Sequence, residues 1–168
     1  ADAKLLARKP GNISMLEAAS LPLVGITSWN ALIDRANIKA GQKVLVHAGA
    51  GGVGNFGLQL AKVMGAETHS TVSNDQKANL AQDLGADEVI NYSEFEVQEY
   101  VEKFTGGIGY DLVFDTVGGK CLDQSFRAAK EHGTVVSIAA RSEHDLTPVH
   151  TKSLSLHVVF MLLPILRN

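Results

Sequence analysis

Short apolar runs alternate along the chain with longer segments in which apolar residues recur every three or four positions. The run "KVLVHAG" at 43–49 is short, apolar and rich in valine, as expected of a buried strand. After it, Val53, Phe56 and Leu60 fall on one face of a helix, which Gly65 would end. This stretch predicts a strand, a tight turn and a helix.

The same pattern repeats through the rest of the chain. Further strands are predicted at 68–72, 87–91, 111–117 and 134–139, and helices at 76–84, 94–104 and 120–130. Strands that alternate with helices of this length pair in parallel through right-handed crossovers. The predicted fold class is therefore α/β, a doubly wound parallel sheet with helices on both faces.

The N-terminal region predicts two helices. Ser14 and Glu17 form the pattern of a capping box, and Pro22 suits the first turn of a second helix. The apolar run 154–166 is shorter than the ~20 residues that a bilayer span needs, and we interpret it as core or interface. The predicted strand that contains His69 is more polar than a central strand should be, and the pattern gives no reason for this histidine.

Composition describes an ordinary globular domain. The chain has 168 residues, of which 45% are hydrophobic and 20% charged, which suits one packed core. Because the net charge is −3 and no basic block occurs, nucleic acid is not an expected partner. Cys121 is the single cysteine, and the first residues lack the apolar core of a signal peptide, so we expect a cytoplasmic protein without a membrane partner.

Three glycines at the first strand–helix junction carry the main functional prediction. Gly49, Gly51 and Gly54 fit the pattern G-x-G-x-x-G. The first allows a tight turn, the second lets the backbone approach a pyrophosphate, and the third lets helix and strand pack closely. Free amides and the positive helix end attract the phosphates. The predicted ligand is a dinucleotide, and a turn made for packing alone is the structural alternative.

The end of the second strand bears on which dinucleotide binds. NAD-specific sites usually have an acidic residue here, but Val72 is apolar and Asp75 better suits the first turn of the next helix. Ser73 and Lys77 could bind a 2′-phosphate, which favours NADPH over NADH. The arginine that usually binds this phosphate is absent. Ser73 as a helix cap, paired with Gln76, and Lys77 as a solvated charge are the alternatives.

Other patterns in the sequence give no catalytic residue and no metal site. No Ser-His-Asp set is evident, and we interpret His47, at the end of the first strand, as a structural residue rather than a general base. The histidines and the one cysteine lack the spacing of a zinc site, so no metal is expected in this segment. Tyr100 and Lys103 are three residues apart, where short-chain dehydrogenases have four, and are predicted to lie on an exposed helix.

Several segments together strongly resemble the quinone oxidoreductase branch of the medium-chain dehydrogenase/reductase superfamily. They are "LPLVGITSWNAL", "AGQKVLVHAGAGGVGNFGLQLAKVMGA", "GADEVINY", "YDLVFDTVGG" and "GTVVSIA". The similarity runs from about Ser14 to the end of the chain. It implies a Rossmann domain that binds NADPH for the two- or one-electron reduction of quinones, or of conjugated enones and aldehydes, by hydride or electron transfer and without zinc.

The resemblance also implies which residues contact the cofactor. Four lie in the pyrophosphate turn, two contact the 2′-phosphate, one lies beside the adenosine and six lie near the nicotinamide half. In that order they are Ala50, Gly51, Gly52 and Val53; Ser73 and Lys77; Tyr92; and Thr27, Gly119, Ile138, Ala139, Ala140 and Arg141. Ala139 departs from the family, which often has glycine there.

The resemblance has consequences for domain organisation. Members of the family carry a separate catalytic domain before this one, so residues 1–40 are expected to be lead-in helices from it and residues 41–168 the NAD(P)-binding domain. The residues that contact substrate are then expected mostly outside this chain, and no catalytic residue is named. The strand within Leu154–Leu163 is expected to pair with its copy in a homodimer, since an apolar edge strand must be paired or covered. Cover by a C-terminal segment is the alternative.

Other function classes fit a sheet of this kind. A methyltransferase would normally need an acid at the end of the second strand, which is missing. A non-catalytic NADPH-binding or sensing protein would use the same pocket, and a zinc-independent alcohol or enoyl reductase of the superfamily would use the same domain. The resemblance favours an NADPH-dependent reductase of a small-molecule substrate. Such a reductase needs no Ser-His-Asp set, because hydride transfer asks the protein mainly to orient the cofactor.

Overall fold

The computed structural model describes residues 3–139 and 141–166, which form a six-stranded parallel sheet between two layers of helices. The strands are β1 (Lys43–His47), β2 (Glu67–Val72), β3 (Glu88–Asn91), β4 (Tyr110–Asp115), β5 (Ala129–Ser137) and β6 (Ser155–Val158). The helices are α1 (Met15–Trp29), α2 (Gly52–Val63), α3 (Asp75–Asp83), α4 (Val97–Thr105), α5 (Lys120–Ala128), α6 (Thr147–Thr151) and α7 (Leu163–Leu166), with a 3₁₀ turn at Ala3–Leu5 and a π-helix at Asn30–Arg35.

The strand order is β3-β2-β1-β4-β5-β6, and every pairing is parallel. The chain therefore winds outward from β1 in one direction and then, from β4, in the other. This order confirms the predicted doubly wound sheet. It also places a switch point between β1 and β4, where folds of this kind bind ligands at the carboxyl ends of the strands.

The sheet separates two apolar clusters. Val44 and Val46 of β1 pack into the cluster beneath α2, whereas Leu45 packs into the cluster beneath α4 and α5. All three side chains are fully buried, because successive residues of a strand point to opposite faces and both faces are covered here. The apolar run that predicted a buried strand is explained by this double cover.

The N-terminal region forms one helix where two were predicted. The capping box is confirmed, since the Glu17 N–H donates to Ser14 Oγ at 3.2 Å and the Ser14 N–H donates to the Glu17 carboxylate at 2.7 Å. The prediction that a second helix begins at Pro22 is wrong, because α1 runs through this proline to Trp29. Proline costs the helix one bond, to the carbonyl of Ala18, and Ala18 is not buried.

The combined segment Met15–Arg35 is long and apolar enough to cross a membrane by length and composition alone. A core helix of a soluble protein meets the same criterion. Here Ala31 and Leu32 are fully buried in the cluster beneath α2, and Ser28 Oγ donates to the Val53 carbonyl of α2 at 3.2 Å. We therefore interpret the segment as a helix packed on α2.

The polar strand β2 is explained by its hydrogen bonds. His69 is buried, with Nδ1 2.9 Å from Tyr110 Oη and Nε2 3.0 Å from the Glu67 carboxylate. Ser70 Oγ accepts the Gly49 N–H at 3.1 Å. Burial lowers the pKa of His69, the bond to Glu67 opposing this. A central strand tolerates these side chains because each one has a partner.

Several segments differ from their predicted bounds. The strand predicted at 134–139 runs from Ala129 to Ser137, and the helix predicted at 120–130 ends at Ala128. The helix predicted from residue 94 begins at Val97, because Glu96 and Glu99 form a capping box there. The expectation of an exposed helix is wrong for Tyr100, which is 3% exposed in the cluster beneath α4 and α5. The last strand, β6, occupies only four residues of the predicted segment 154–163 and pairs with β5. Its pairing with a second copy stays a prediction.

Candidate cofactor-binding site

The turn after β1 is shaped by the close approach of α2. A Cβ atom on Gly54 would lie 2.2 Å from the Ala48 carbonyl oxygen, so the helix can pack this closely only without a side chain at that position. The Gly51 N–H donates to the same oxygen at 2.8 Å and closes the turn. The predicted packing role of Gly54 is confirmed.

The role of Gly49 differs from the one predicted. A positive φ is found in this turn at Ala48, at 54°, and not at Gly49. A Cβ on Gly49 would instead lie 2.1 Å from Ser70 Oγ, the atom that accepts the Gly49 N–H. Glycine is therefore required here by the neighbouring strand β2 rather than by the turn itself.

The start of α2 offers free amides to an anion. Its N-cap is Gly51, so no side chain caps the helix, and Gly51 and Gly52 are exposed. The first amides of a helix have no carbonyl partner within it, and the helix dipole places partial positive charge at the same point. The predicted pyrophosphate contacts at Ala50, Gly51, Gly52 and Val53 all lie in this short stretch, next to the β1–β4 switch point.

The structure brings together Ser73 and Lys77, the residues predicted to contact a 2′-phosphate. Lys77 Nζ donates to Ser73 Oγ at 3.1 Å, just beyond the carboxyl end of β2. The alternative that Ser73 caps the next helix is wrong, because Asn74 is the N-cap and its side chain accepts the Lys77 N–H at 3.0 Å. The Ser73 hydroxyl and the exposed Lys77 ammonium therefore face the same place without a helix-capping duty.

Tyr92 joins this pair from the next strand. It follows β3, its N–H donates to the Val72 carbonyl at 3.1 Å, and its side chain is 57% exposed. Since Ser73 follows Val72 directly, the tyrosine ring and the Ser73–Lys77 pair lie at adjoining strand ends. The three residues form one polar corner at the carboxyl edge of the sheet.

A cavity of about 420 Å³ opens beside this corner. It lies over the carboxyl ends of β1 and β2 and extends between α4 and α5. The residues that line it are His47, Ala48, Thr71, Tyr92, Phe95, Val97, Tyr100, Val117, Cys121 and Gln124. Most of its surface is apolar, as expected of a pocket that holds a planar ring.

Two buried polar atoms in the wall of this cavity lack a partner among the described residues. They are His47 Nε2 and Tyr100 Oη, and the two side chains are 2% and 3% exposed. His47 Nδ1 is held 2.9 Å from Thr71 Oγ1. A buried polar group without a partner costs about 1–3 kcal/mol, so the wall is suited to a ligand with polar atoms on its edge. The interpretation of His47 as purely structural missed this free nitrogen.

Burial controls the ionisation of the groups around the cavity. It lowers the pKa of His47 to about 4, with the negative charge of Asp115 acting in the opposite direction. The imidazole is therefore neutral near pH 7. Burial also raises the pKa values of the Tyr100 hydroxyl and the Cys121 thiol. The cavity thus presents neutral groups, and Cys121 is a thiol rather than a reactive thiolate.

On the other side of the switch point, Asp115 holds two loops together. Its Oδ1 accepts the N–H groups of Val117 and Gly118 at 3.0 and 2.9 Å, and its Oδ2 accepts the Ser137 hydroxyl at 2.7 Å. Gly118 has a φ of 79°, and a Cβ there would lie 2.6 Å from the Ala139 carbonyl. Sequence reasoning missed this fully buried carboxylate, although an acid followed by "TVGG" at a strand end was a signal for it.

The residues predicted to lie near the nicotinamide are placed less uniformly. Gly119, Ile138 and Ala139 lie in the two loops that Asp115 joins, and Arg141 is exposed just after them. Ala140 lies outside the described residues. Thr27 is on α1, 5% exposed, and its hydroxyl donates to the Leu23 carbonyl at 2.7 Å, so the one proton of this hydroxyl is already engaged.

The described residues bring no three histidine, cysteine, aspartate or glutamate side chains together as metal ligands.

A family model described as "Zinc-binding dehydrogenase" matches residues 52–164. Among curated proteins, the highly reducing polyketide synthase dmxL2 of Cryptosporiopsis sp. is 36% identical over 135 residues, which is 79% of this chain and 6% of that protein. Among solved structures, an alcohol dehydrogenase superfamily protein from Novosphingobium aromaticivorans has a TM-score of 0.94 and 41% identity, over 99% of this chain and 50% of its own.

Three further structures bear on the ligand. A mycobacterial protein solved in complex with NADPH has a TM-score of 0.88 and 35% identity, over 96% of this chain and 52% of its own. A quinone oxidoreductase from Pseudomonas syringae has a TM-score of 0.85 and 33% identity, over 93% and 50%. The enoyl reductase of CurK has a TM-score of 0.84 and 31% identity, over 96% and 49%. The chain thus spans about half the length of these structures.

Proposed function

Since this chain belongs to the zinc-binding dehydrogenase family of the medium-chain dehydrogenase/reductase superfamily, we propose that it is the NADPH-binding domain of an oxidoreductase that reduces quinones or conjugated enones and aldehydes. The observation that carries the proposal is the Ser73–Lys77 pair, 3.1 Å apart beside an open cavity at the carboxyl edge. The NADPH in the similar mycobacterial protein supports the same cofactor.

Each part of the cofactor has a group of this chain to bind it. The amides of Gly52 and Val53 at the uncapped start of α2 bind the pyrophosphate. Ser73 and Lys77 bind the 2′-phosphate through a hydroxyl donor and a cation. The absence of a carboxylate at Val72, the end of β2, leaves this phosphate unopposed.

The apolar cavity between Tyr92 and Val117 would hold the adenine ring. At its inner wall, the Tyr100 hydroxyl can donate to a ring nitrogen, and His47 Nε2 can donate or accept according to its tautomer. Adenine carries both donors and acceptors on its edge, so it satisfies the two atoms that are otherwise without partners. The fit therefore rests on this chain's own geometry as well as on the resemblance.

The second half of the sheet orients the reacting end. When bound, the cofactor supplies a hydride to the substrate. The loops after β4 and β5, which Asp115 ties together, form a rigid floor for the nicotinamide half because the Ser137 hydroxyl and two backbone amides all bond the same carboxylate. A fixed floor keeps the reactive carbon in position.

The substrate class is the finer part of the proposal. Quinone reduction is supported by the similarity to the Pseudomonas syringae quinone oxidoreductase. Enoyl reduction is the second candidate, because the CurK enoyl reductase and a reducing polyketide synthase are comparably similar. Both activities use the same cofactor domain, so the residues described above serve either one.

We also propose a cytoplasmic homodimer that pairs through β6. This strand is last in the sheet, and Val158 and Phe160 at its end are 55% and 57% exposed. An exposed apolar edge strand is stabilised by pairing with a copy of itself.

The test uses the full natural protein that carries this domain. Nucleotide fluorescence measures the affinities for NADPH, NADH and S-adenosylmethionine, and NADPH consumption is followed with a quinone, a conjugated enone and an aldehyde. We expect tighter binding of NADPH than of NADH, and consumption with at least one of these substrates. Tighter NADH binding would contradict the Ser73–Lys77 argument, and NADPH binding without consumption would indicate a sensing protein.

A further inference from the structure

A chain of three hydrogen-bonding side chains lies outside the cavity and is unused by the function proposed above. Ser142 Oγ is 2.6 Å from His144 Nε2, and His144 Nδ1 is 2.8 Å from Asp123 Oδ1. Asp123 lies in the first turn of α5, whereas the other two residues belong to the loop after β5. The sequence pattern did not predict this set, because most of α5 and the whole of β5 separate Asp123 from its partners along the chain.

The histidine is fixed while both ends of the set are accessible. The His144 side chain is 9% exposed and meets the buried Phe126 ring edge-on, with centroids 6.3 Å apart. The Asp123 side chain is 39% exposed and Ser142 is exposed. A proton can therefore leave Ser142 and be replaced from water, because both ends of the set are accessible. The His144 ring between them is held in place by its two hydrogen bonds and by Phe126.

Hydrogen-bonding roles set the direction of the protons. An ionised carboxylate only accepts, so Asp123 places a proton on His144 Nδ1. Nε2 of the neutral ring then accepts the Ser142 O–H, and Nε2 of the doubly protonated ring donates to Ser142 Oγ. The order of hydroxyl, imidazole and carboxylate is the one by which hydrolases move a proton at a serine oxygen.

The location of the set indicates what it serves. Cys121 and Gln124 of α5 line the cavity, whereas Asp123 lies on another side of the same helix, since successive helical residues are about 100° apart. The loop that carries Ser142 begins where β5 ends, at the carboxyl edge of the second half of the sheet. A dinucleotide that spans the switch point places its second half at this edge.

We propose that Ser142 is a catalytic residue that gives the substrate its proton during reduction, with His144 and Asp123 as the positioning residues behind it. This inference rests on the reductase function proposed above. As hydride and its electron pair form a C–H bond at the carbon β to a carbonyl, the C=C pair shifts to the α-carbon and takes the Ser142 hydroxyl proton. Ser142 Oγ takes a proton from Nε2 of the doubly protonated His144 ring, which becomes the neutral ring with its proton on Nδ1, and Nε2 is then protonated again from water.

The competing explanation is that the three residues only anchor the loop to α5. An anchor would affect stability, and cofactor affinity through the loop, but it would not require a hydroxyl at position 142. The variants Ser142→Ala and Ser142→Thr separate the two explanations, because threonine keeps the hydroxyl. His150→Gln, an exposed histidine on α6, is the matched control.

The experiment measures kcat, KM, the dissociation constant of NADPH and the solvent deuterium isotope effect on kcat in the full natural protein. General acid catalysis typically contributes about 10²–10⁴-fold. We therefore expect Ser142→Ala to lower kcat by about 100-fold with NADPH affinity unchanged, a larger solvent isotope effect, recovery in Ser142→Thr, and no change in His150→Gln. An unchanged kcat in Ser142→Ala overturns the proposal while the reductase function stands.

A second readout needs no turnover. In ¹⁵N spectra of the histidine rings, we expect the His144 proton on Nδ1, and its transfer to Nε2 in Asp123→Ala. A proton on Nε2 of the neutral wild-type ring would overturn the proposal. If the spectra agree but the wild-type protein oxidises no NADPH with any substrate tested, the reductase function is what fails and the proton role is overturned with it.

Discussion

The two edges of the sheet differ in whether their buried histidines have hydrogen-bond partners for both ring nitrogens. At the amino edge, carboxylates accept the first N–H groups of the strands: Asp111 accepts that of Lys43 at 2.7 Å, and Asp87 that of Thr68 at 2.8 Å. The ring nitrogens of His69 both have partners, in Glu67 and Tyr110, which are the first residues of β2 and β4. At the carboxyl edge, His47 on the neighbouring strand has one nitrogen without a partner among the described residues.

This difference indicates the edge at which a ligand would complete the hydrogen bonding of the fold. Leaving a buried polar atom unpaired costs about 1–3 kcal/mol, and the amino edge demonstrates that this chain can satisfy such groups with its own side chains. His47 Nε2 and Tyr100 Oη, the two buried side-chain atoms without partners among the described residues, both line the cavity at the carboxyl edge. The uncapped start of α2 lies at the same edge. Buried polar atoms without partners therefore indicate the carboxyl edge as the candidate binding edge, independently of any resemblance.

The largest effect is expected from adding one methyl group where α2 packs against the turn after β1. Gly54→Ala places a Cβ 2.2 Å from the Ala48 carbonyl oxygen, and backbone atoms cannot move aside as a flexible side chain can. We expect the free energy of unfolding to fall by about 3 kcal/mol, with loss of NADPH binding, since overpacking typically costs 1–3 kcal/mol or more. Urea denaturation and nucleotide fluorescence measure the two effects.

Gly11→Ala is the matched control for that substitution, because a Cβ on Gly11 meets no atom within 4 Å. Its stability and its NADPH affinity should stay close to those of the wild-type protein. A Gly54→Ala variant that still bound NADPH normally would show that the phosphate turn does not need this close approach.

Replacing His69, whose two ring nitrogens both have hydrogen-bond partners, tests the amino edge. His69→Ala leaves the Tyr110 hydroxyl without its partner and opens space in the core, so we expect a loss of about 2–3 kcal/mol in the free energy of unfolding. NADPH affinity of the folded protein should not change, because His69 does not line the cavity. Chemical denaturation and fluorescence titration of the same sample measure both. Weaker NADPH binding would contradict the division between the edges.

The sequence predicted the doubly wound sheet more completely than the site, for physical reasons that particular residues show. Alternating strands and helices fix a doubly wound sheet, and three glycines at one junction fix the phosphate turn. The Ser73–Lys77 pair was also predictable, because its members are four residues apart. The reason for Gly49 was not, since it depends on Ser70 of the neighbouring strand.

The residues that the sequence missed act through contacts between distant segments. Asp115 meets Ser137 across two strands, and His144 meets Asp123 from another loop. Local patterns carry no information on such pairs until the sheet order is known. The single helix through Pro22 was missed for a different reason, because tertiary packing overrode a local preference.

Lowering the pH should reduce the free energy of unfolding through His47, at the carboxyl edge. Its folded-state pKa is lowered from 6.5 to about 4, so as the pH falls below 6.5 the unfolded chain takes up a proton before the folded one does. The free energy of unfolding then falls between pH 6.5 and 4 by about 3 kcal/mol in total, at roughly 1.4 kcal/mol per pH unit. Below this window the contribution of His47 is constant.

His47→Gln should remove that part of the pH dependence, because glutamine does not titrate. Urea denaturation of the variant and of the wild-type protein at several pH values gives the difference directly, and subtracting the curves removes the contribution of the other titrating groups. Equal slopes for the two proteins between pH 6.5 and 4 would show that His47 is not buried as a neutral group.

The smallest effect is expected at the polar corner of Ser73, Lys77 and Tyr92 at the carboxyl edge. Lys77→Ala removes the cation that we place on the 2′-phosphate, and because this ammonium is solvated we expect only a fivefold to tenfold weakening of NADPH binding, or about 1 kcal/mol. NADH affinity should not change, since NADH lacks the phosphate. Lys39→Ala, at the amino edge before β1, is the control and should alter neither affinity. Added salt should reduce the effect of Lys77→Ala, because a solvated charge pair is screened. Equal weakening for NADPH and NADH would mean that Lys77 supports the corner generally and does not select the cofactor.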